Sequence, residues 1–354
     1  MFQALAIFGV ITLALAATAS RAVAEPVLNA TSPLSFQRGT STPIVFRGAR
    51  MDEPDIRLLA YTEGITLTEW KSEEAKTGSA VLHVDAEVSP GMHAFRLVSA
   101  RGMSALRTIY VGNLPTVAEV EPNEGADRAQ PLPHDCTIWG QHAAGDEDWY
   151  AVEVGEDWRR LSIEVHGVRL GRRFVDPLIE LYDPDNQRIA QCDDTPLTRQ
   201  DPLIQLQAPR PGTYKIMIRD AMYRGGGGDH YLLHVGQFPR PDGVVPTGGP
   251  AGETLDVGWL YAGAEVDKQT LALPAEARGT IELFPEDDLG VAPSPIPFEL
   301  GAAVAAESEP NNAHAKANPI SWPLVVEATL GHDGDIDYFK FSANKGQVVR
   351  CAVR

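Results

Sequence analysis

The stretch Glu119-Val120-Glu121-Pro122-Asn123-Glu124, followed by Gly145-Asp146-Glu147-Asp148-Trp149-Tyr150, returns as Glu307-Ser308-Glu309-Pro310-Asn311-Asn312 and Gly334-Asp335-Ile336-Asp337-Tyr338-Phe339. The spacing repeats too: Glu119 to Asp146 is 146 − 119 = 27 positions, and Glu307 to Asp335 is 335 − 307 = 28. Two signals recurring at one spacing mark a structural unit used twice, which rules out a single continuous core. The 354 residues leave room for about two to three domains at roughly 150 residues each. The first copy runs on to about residue 238. The second starts near 306 and closes on Gln347-Val348-Val349-Arg350-Cys351-Ala352-Val353, which reads as a strand in a unit cut short.

Between these landmarks the pattern is β. Leu161, Ile163 and Val165 alternate with Ser162, Glu164 and His166, and Tyr214, Ile216 and Ile218 alternate with Lys215, Met217 and Arg219. That period of two predicts half-buried strands, with Ser162 and His166 on a solvated face. Asp183-Pro184-Asp185-Asn186, Pro211-Gly212 and Gly225–Gly228 supply the turns. Regularly spaced short strands with such turns suggest a sandwich or jelly roll. Upstream, Pro43–Arg47, Ala80–Val88, Met92–Ser99 and Leu106–Val111 read as strands, and about ninety residues suit an immunoglobulin-like sandwich over 25–113. A Pro/Gly cluster from Pro239 to Gly252 marks a boundary, so 238–304 is expected to be a linker and a small β domain.

The N-terminus predicts export. The apolar run Ala4–Ala16 is short for a membrane span, and Ala22-Val23-Ala24 places small residues where signal peptidase reads, so residues 1–24 are expected to be a signal peptide cleaved after Ala24. An N-terminal anchor is the alternative. The expected location is secreted, periplasmic or cell surface, with no membrane span after cleavage. Thirty basic against forty-eight acidic residues give a net charge of −18, which excludes a broad grip on nucleic acid or anionic lipid. Three cysteines, Cys136, Cys192 and Cys351, do not make a disulfide scaffold. Cys136 and Cys192 either pair within one domain or stay separate thiols.

The order Glu-x-Glu-Pro-Asn, Gly-Asp-x-Asp-Trp-Tyr, Arg169-Leu170-Gly171 with Asp176-Pro177, Leu181-Tyr182-Asp183, Asp193-Asp194, Gly212-Thr213-Tyr214 and Tyr231-Leu232-Leu233-His234-Val235-Gly236 resembles the bacterial pre-peptidase C-terminal domain. The resemblance covers 117–237, and 306–354 is similar to the start of a second copy. It implies an all-β multidomain chain in which an immunoglobulin-like sandwich precedes jelly-roll modules of exported proteins, related to the collagen-binding domains of bacterial collagenases. It also implies a non-catalytic module with calcium ligands at Glu119, Glu121, Asn123, Asp146 and Asp148, and at Glu307, Glu309, Asn311, Asp335 and Asp337. Glu124 departs from the commoner Asn or Asp at its place, where the second copy has Asn312.

Calcium takes six to eight oxygens, and two clustered acidic segments supply the right donor type. The competing reading is that Glu and Asn cap a turn while the aspartates open a solvated strand. Asp333-Gly334-Asp335-Ile336-Asp337 fails as an EF-hand, because Tyr338 stands at the sixth position and Asn344 at the twelfth. His230 and His234 share a strand face without a third zinc ligand, and Gly225–Gly228 lacks the lysine and helix of a phosphate loop. Ser162, His166 and Asp176 lack nucleophile-elbow glycines. The expected function is therefore binding or adhesion to an extracellular polymer or protein. The alternative is an accessory part of a secreted peptidase or other hydrolase whose catalytic domain lies beyond residue 354.

Overall fold

The computed structural model describes residues 25–353 apart from 174, 262, 263, 277, 278, 302 and 323, so the expected signal peptide lies outside the described residues. The chain is all-β and built from successive sandwiches. In the first, the sheet of Val27–Ser32, Thr40–Ala49, Thr77–Val84 and Ile65–Glu74 faces one built from Ser35–Gln37, Arg107–Gly112, Gly91–Ser99 and Arg57–Ala60. Alternate residues of both sheets point inward, and Leu28, Phe46, Leu82, Phe95 and Ile109 form the core between them.

The next sandwich carries the repeated motif. Its strands are β1 (Thr116–Ala118), β2 (Gln130–Pro131), β3 (Cys136–Gln141), β4 (Asp148–Val154), β5 (Arg160–His166), β6 (Pro177–Tyr182), β7 (Arg188–Cys192), β8 (Leu203–Gln207), β9 (Gly212–Asp220) and β10 (His230–Gly236). One sheet runs β1-β3-β10-β5-β8 and the other β2-β4-β9-β6-β7. The period of two sends Tyr150, Val152, Ile163, Val165, Ile216, Ile218, Tyr231 and Leu233 into the space between them. Each such side chain contributes about 1.5–3 kcal/mol by leaving water. Cys136 is buried and Cys192 half-buried, and both are free.

The alternation along β5 departs from expectation, because all seven residues from Arg160 to His166 are buried. Ser162 and His166 do not face solvent. Ser162 donates to the Phe238 carbonyl at 2.8 Å, and His166 Nε2 bonds Ser294 Oγ at 2.7 Å. The outer face of this sheet is covered on both flanks. Tyr110 of the first sandwich donates to the Pro293 carbonyl at 2.8 Å, and Leu34 and Tyr110 pack on Leu170 and Leu232. Polar residues on that face find partners on segments far along the chain, which a periodicity argument cannot register.

Glu164 is the hub of that cover. It pairs with Arg240 at 2.7 Å and Arg169 at 3.0 Å and accepts from Ser294. Arg169 also reaches Asp201 at 2.6 Å, whose other oxygen accepts the Gly167 and Val168 amides. These cations hold the Glu164 carboxyl well below the usual range against the cost of burial.

Residues 239–301 form two three-stranded sheets around Val244, Val257, Trp259 and Phe298. Downstream, Ala303–Ala306 pairs in parallel with Leu324–Glu327, and Asn318–Pro319 pairs in parallel with Phe339–Lys340. The first copy has the same two parallel pairings, β1 with β3 and β2 with β4. The expected strand at Gln347–Val353 does not form. A strand needs a ladder partner, and none is found there among the described residues.

Candidate metal centre

Glu119 and Glu121 lie just past β1, where the chain leaves the sheet edge and turns toward β2, and Asp148 opens β4. The Asn123 carbonyl accepts the Trp149 amide at 3.0 Å, which ties the leading segment to the start of β4. One carboxylate oxygen from each of Glu119, Glu121 and Asp148 lies within 4.8 Å of the others.

Each acid is held differently. Glu119 Oε1 accepts from the hydroxyls of Tyr150 and Tyr231, both at 2.9 Å, and Oε2 accepts the Gln141 amide at 2.9 Å. Tyr231 also reaches Asp148 Oδ2 at 2.8 Å. Glu121 Oε2 accepts the Asn123 amide at 3.0 Å. Gly140 makes the arrangement possible, because a Cβ there would lie 2.3 Å from the Tyr231 ring.

Asn123 and Asp148 are fully buried. Neither polar atom of the Asn123 side chain has a hydrogen-bond partner, and Asp148 Oδ1 has none. Burial first, then the neighbouring Asp148 carboxylate, pushes Glu119 up to about 7. Burial likewise drives Asp148 up to about 7, with Asp146 and Glu121 adding to it. A buried amide oxygen with no partner and acids crowded until they resist ionising are costly by themselves, and a cation would relieve both. The donors are hard oxygens, which suits calcium better than zinc or copper.

The structure separates the residues expected to act together. Glu119, Glu121 and Asp148 converge, and Asn123 is tied to them through its backbone. Asp146 stays to one side, its Oδ2 accepting the Ala143 amide at 2.8 Å as a turn cap. In the second copy Glu307, Glu309 and Asp337 converge in the same way. Glu309 Oε2 accepts the Asn311 amide at 2.7 Å, and the Asn311 side-chain amide donates to Glu307 at 3.2 Å. The buried Asn311 Oδ1 and Asp337 Oδ1 lack partners. Asp335 caps its turn through Gly331 and Ile336 amides at 2.7 and 3.0 Å.

Sequence reasoning missed Tyr150, Tyr231 and His142 at this site. His142 is buried, stacks on Tyr231 at 4.5 Å between centroids and has Nδ1 3.3 Å from Asp148 Oδ2. Burial pushes it down to about 4, so it stands neutral beside the acids. The two tyrosines were visible in Asp-Trp-Tyr and Tyr-Leu-Leu, but strand alternation alone does not say which buried hydroxyl meets an acid.

One other constellation resembles catalytic machinery. Ser294, His166 and Glu164 are neighbours, yet His166 Nε2 faces both Ser294 at 2.7 Å and Glu164 at 3.4 Å. A relay needs the carboxylate on the far ring nitrogen and an accessible hydroxyl, and Ser294 is 1% exposed with Arg169 bonded to it.

Among curated proteins none matches the sequence. Among solved structures, the chain is similar to Aeromonas hydrophila PliG, a periplasmic inhibitor of g-type lysozyme, with 17% identity and a TM-score of 0.23, covering 34% of this chain and 96% of that one. It is also similar to Bacteroides ovatus SGBP-B, solved with a mixed-linkage heptasaccharide, with 10% identity, a TM-score of 0.23, and 60% and 75% covered. The Yersinia pseudotuberculosis adhesin InvE gives 8% identity and a TM-score of 0.20, with 76% and 72% covered. Residues 146–220, which run from the Asp146 turn through β9, match the family model of the bacterial pre-peptidase C-terminal domain. The chain thus carries a bacterial pre-peptidase C-terminal domain.

Proposed function

We propose that this is an exported, non-catalytic binding protein whose pre-peptidase C-terminal-like modules hold calcium at their leading segments and engage an extracellular polymer or protein. The observation that carries the calcium reading is the cluster of three acids with an unpartnered Asp148 Oδ1, together with the buried, unpartnered Asn123 Oδ1 on the segment whose backbone is bonded to Glu121 and Trp149. Glu119, Glu121, Asn123 and Asp148 would hold the ion, with Glu307, Glu309, Asn311 and Asp337 as the second set. When bound, the ion supplies charge neutralisation and fastens the segment that enters each module to the strand behind it. The hydroxyls of Tyr150 and Tyr231 orient Glu119, and the Gln141 amide fixes its second oxygen.

The test is thermal unfolding of the whole chain in calcium and in chelator. An ion bound only by the native state adds RT ln(1 + [L]/Kd), about 1–2 kcal/mol at several millimolar calcium for extracellular-type sites. That corresponds to a rise of a few degrees. Asp148→Asn should remove most of the rise. An equal melting temperature with and without calcium in the unsubstituted chain would leave the acids as turn caps and sink the calcium assignment.

A further inference from the structure

Where the first sandwich meets the second, two arginines sit together without an acid. Arg107, which opens the strand Arg107–Gly112, spends its guanidinium on the carbonyls of Asn29 and Leu106 at 3.2 and 2.9 Å. Arg172 follows the short 3-10 turn after β5 and makes one hydrogen bond, to the Thr108 carbonyl at 3.2 Å. Among the described residues neither has a carboxylate within ion-pair distance.

The surroundings are built as well. Partial burial and the facing Arg107 push Arg172 below its usual value, so the arginines cost stability where they stand. His230, at the start of β10, feels Arg172 and has a buried Nδ1 with no hydrogen-bond partner. Trp139 of β3 lies on the same outer face, its ring centroid 6.2 Å from that of His230, and is half-buried. Asp229, next to His230, is engaged by Arg173 at 3.9 Å.

We propose that this junction binds a sugar-borne oxyanion, the carboxylate or sulfate of an acidic extracellular polysaccharide. Arg107 and Arg172 would fork the oxyanion, and the half-open Trp139 ring would meet the apolar face of the sugar. Guanidinium groups suit this task because their planar donors match a carboxylate or sulfate two at a time. The site has residues on two modules, so a ligand there would also favour their docked arrangement. This inference rests on the reading of the chain as a polymer-binding protein.

Titration calorimetry of the whole chain at low salt tests it, with polygalacturonate and chondroitin sulfate as the two oxyanion sources, dextran as the neutral polymer and poly-glutamate as the acidic peptide. Binding to one or both acidic polysaccharides, weakened at least tenfold by Arg172→Gln and not restored by Arg172→Lys, supports the proposal, and the stronger of the two names the oxyanion. Arg172→Gln should leave the melting temperature equal or higher, since it removes a repulsion. Undiminished binding by Arg172→Gln, or equal binding to poly-glutamate, overturns the site. Binding to dextran alone overturns it while leaving the polymer-binding reading in place, whereas no binding to any polymer counts against both.

Discussion

The two acidic clusters share nearly every backbone contact and differ in what surrounds them. In each, the second glutamate of the motif accepts the asparagine amide, the asparagine carbonyl accepts the amide after the last aspartate, and the first glutamate accepts an amide at or just past the end of the paired strand. A side-chain clamp recurs as well: Gln130 bridges Val120 and Ala118, and Asn318 bridges the amide and carbonyl of Ser308. Around the first cluster stands a closed sandwich with Tyr150 and Tyr231 reaching in. Phe339 takes the place of Tyr150 in the second, and Ala328 takes the place of Gly140, so neither the hydroxyl nor the gap for a second tyrosine is present. The same local motif therefore shapes an oxygen cluster in both places.

The largest effect should come from uncovering the first copy. Arg240 and Glu164 are both almost fully buried, and breaking such a pair by removing one partner costs about 3–5 kcal/mol, because the remaining charge is left without compensation. Arg240→Met should lower the unfolding free energy by about that amount in a denaturant titration. Asp335→Ala, on an exposed turn of the second copy, should change it by about 0.5–1 kcal/mol at most. Equal losses would show that the cover over β5 contributes nothing special and that the two copies stand alone to the same degree.

The same contrast explains what could be read from the sequence. Strands such as β9 and β10 were legible from alternation, and the acidic sets from the repeat, because both are local patterns. Asp146 and Asp335 looked equivalent to the acids beside them, whereas in the structure each has an oxygen that accepts a turn amide, a matter of backbone geometry that spacing does not carry. Ser162 and His166 looked solvated because their partners, Phe238 and Ser294, belong to segments far along the chain. Gln347–Val353 looked like a strand from its valines, yet propensity without a neighbouring ladder leaves those residues exposed.

A second contrast concerns acid. His234 is fully buried against His166 and bonds Thr137 at 2.9 Å. Burial first, then the unfavourable proximity of the His166 ring and of the Arg169 and Arg240 cations, holds it well below its usual range, with Glu164 opposing. Tyr110 of the first sandwich packs over both rings, at 5.2 and 5.1 Å. Because the folded value is depressed, the unfolded chain binds more protons below about pH 6.5, so stability present above that value is lost as the pH falls. One such histidine contributes a slope of about 1.4 kcal/mol per pH unit. His234→Gln should flatten the stability profile between about pH 6.5 and 5 by up to that slope. A profile unchanged by the substitution would mean that His234 carries its proton in the folded protein.

The smallest effect distinguishes the clusters atom by atom. The Tyr150 hydroxyl donates to Glu119 at 2.9 Å and lies 2.5 Å from the Tyr231 hydroxyl. Removing one buried hydrogen-bonding group typically costs about 0.5–1.5 kcal/mol, more when the partner carries charge. Tyr150→Phe, which copies the second cluster into the first, should therefore destabilise the chain by about 1 kcal/mol, and Glu119 keeps Tyr231 and the Gln141 amide. The reverse change, Phe339→Tyr, adds a hydroxyl to a half-buried ring with no tyrosine counterpart across the sheet among the described residues. It should move stability by less than about 0.5 kcal/mol. Paired denaturation curves decide between the two. If Phe339→Tyr stabilised the chain as much as Tyr150→Phe weakened it, the hydroxyl would need only its glutamate, and the closed sandwich around the first cluster would not be what gives that contact its strength.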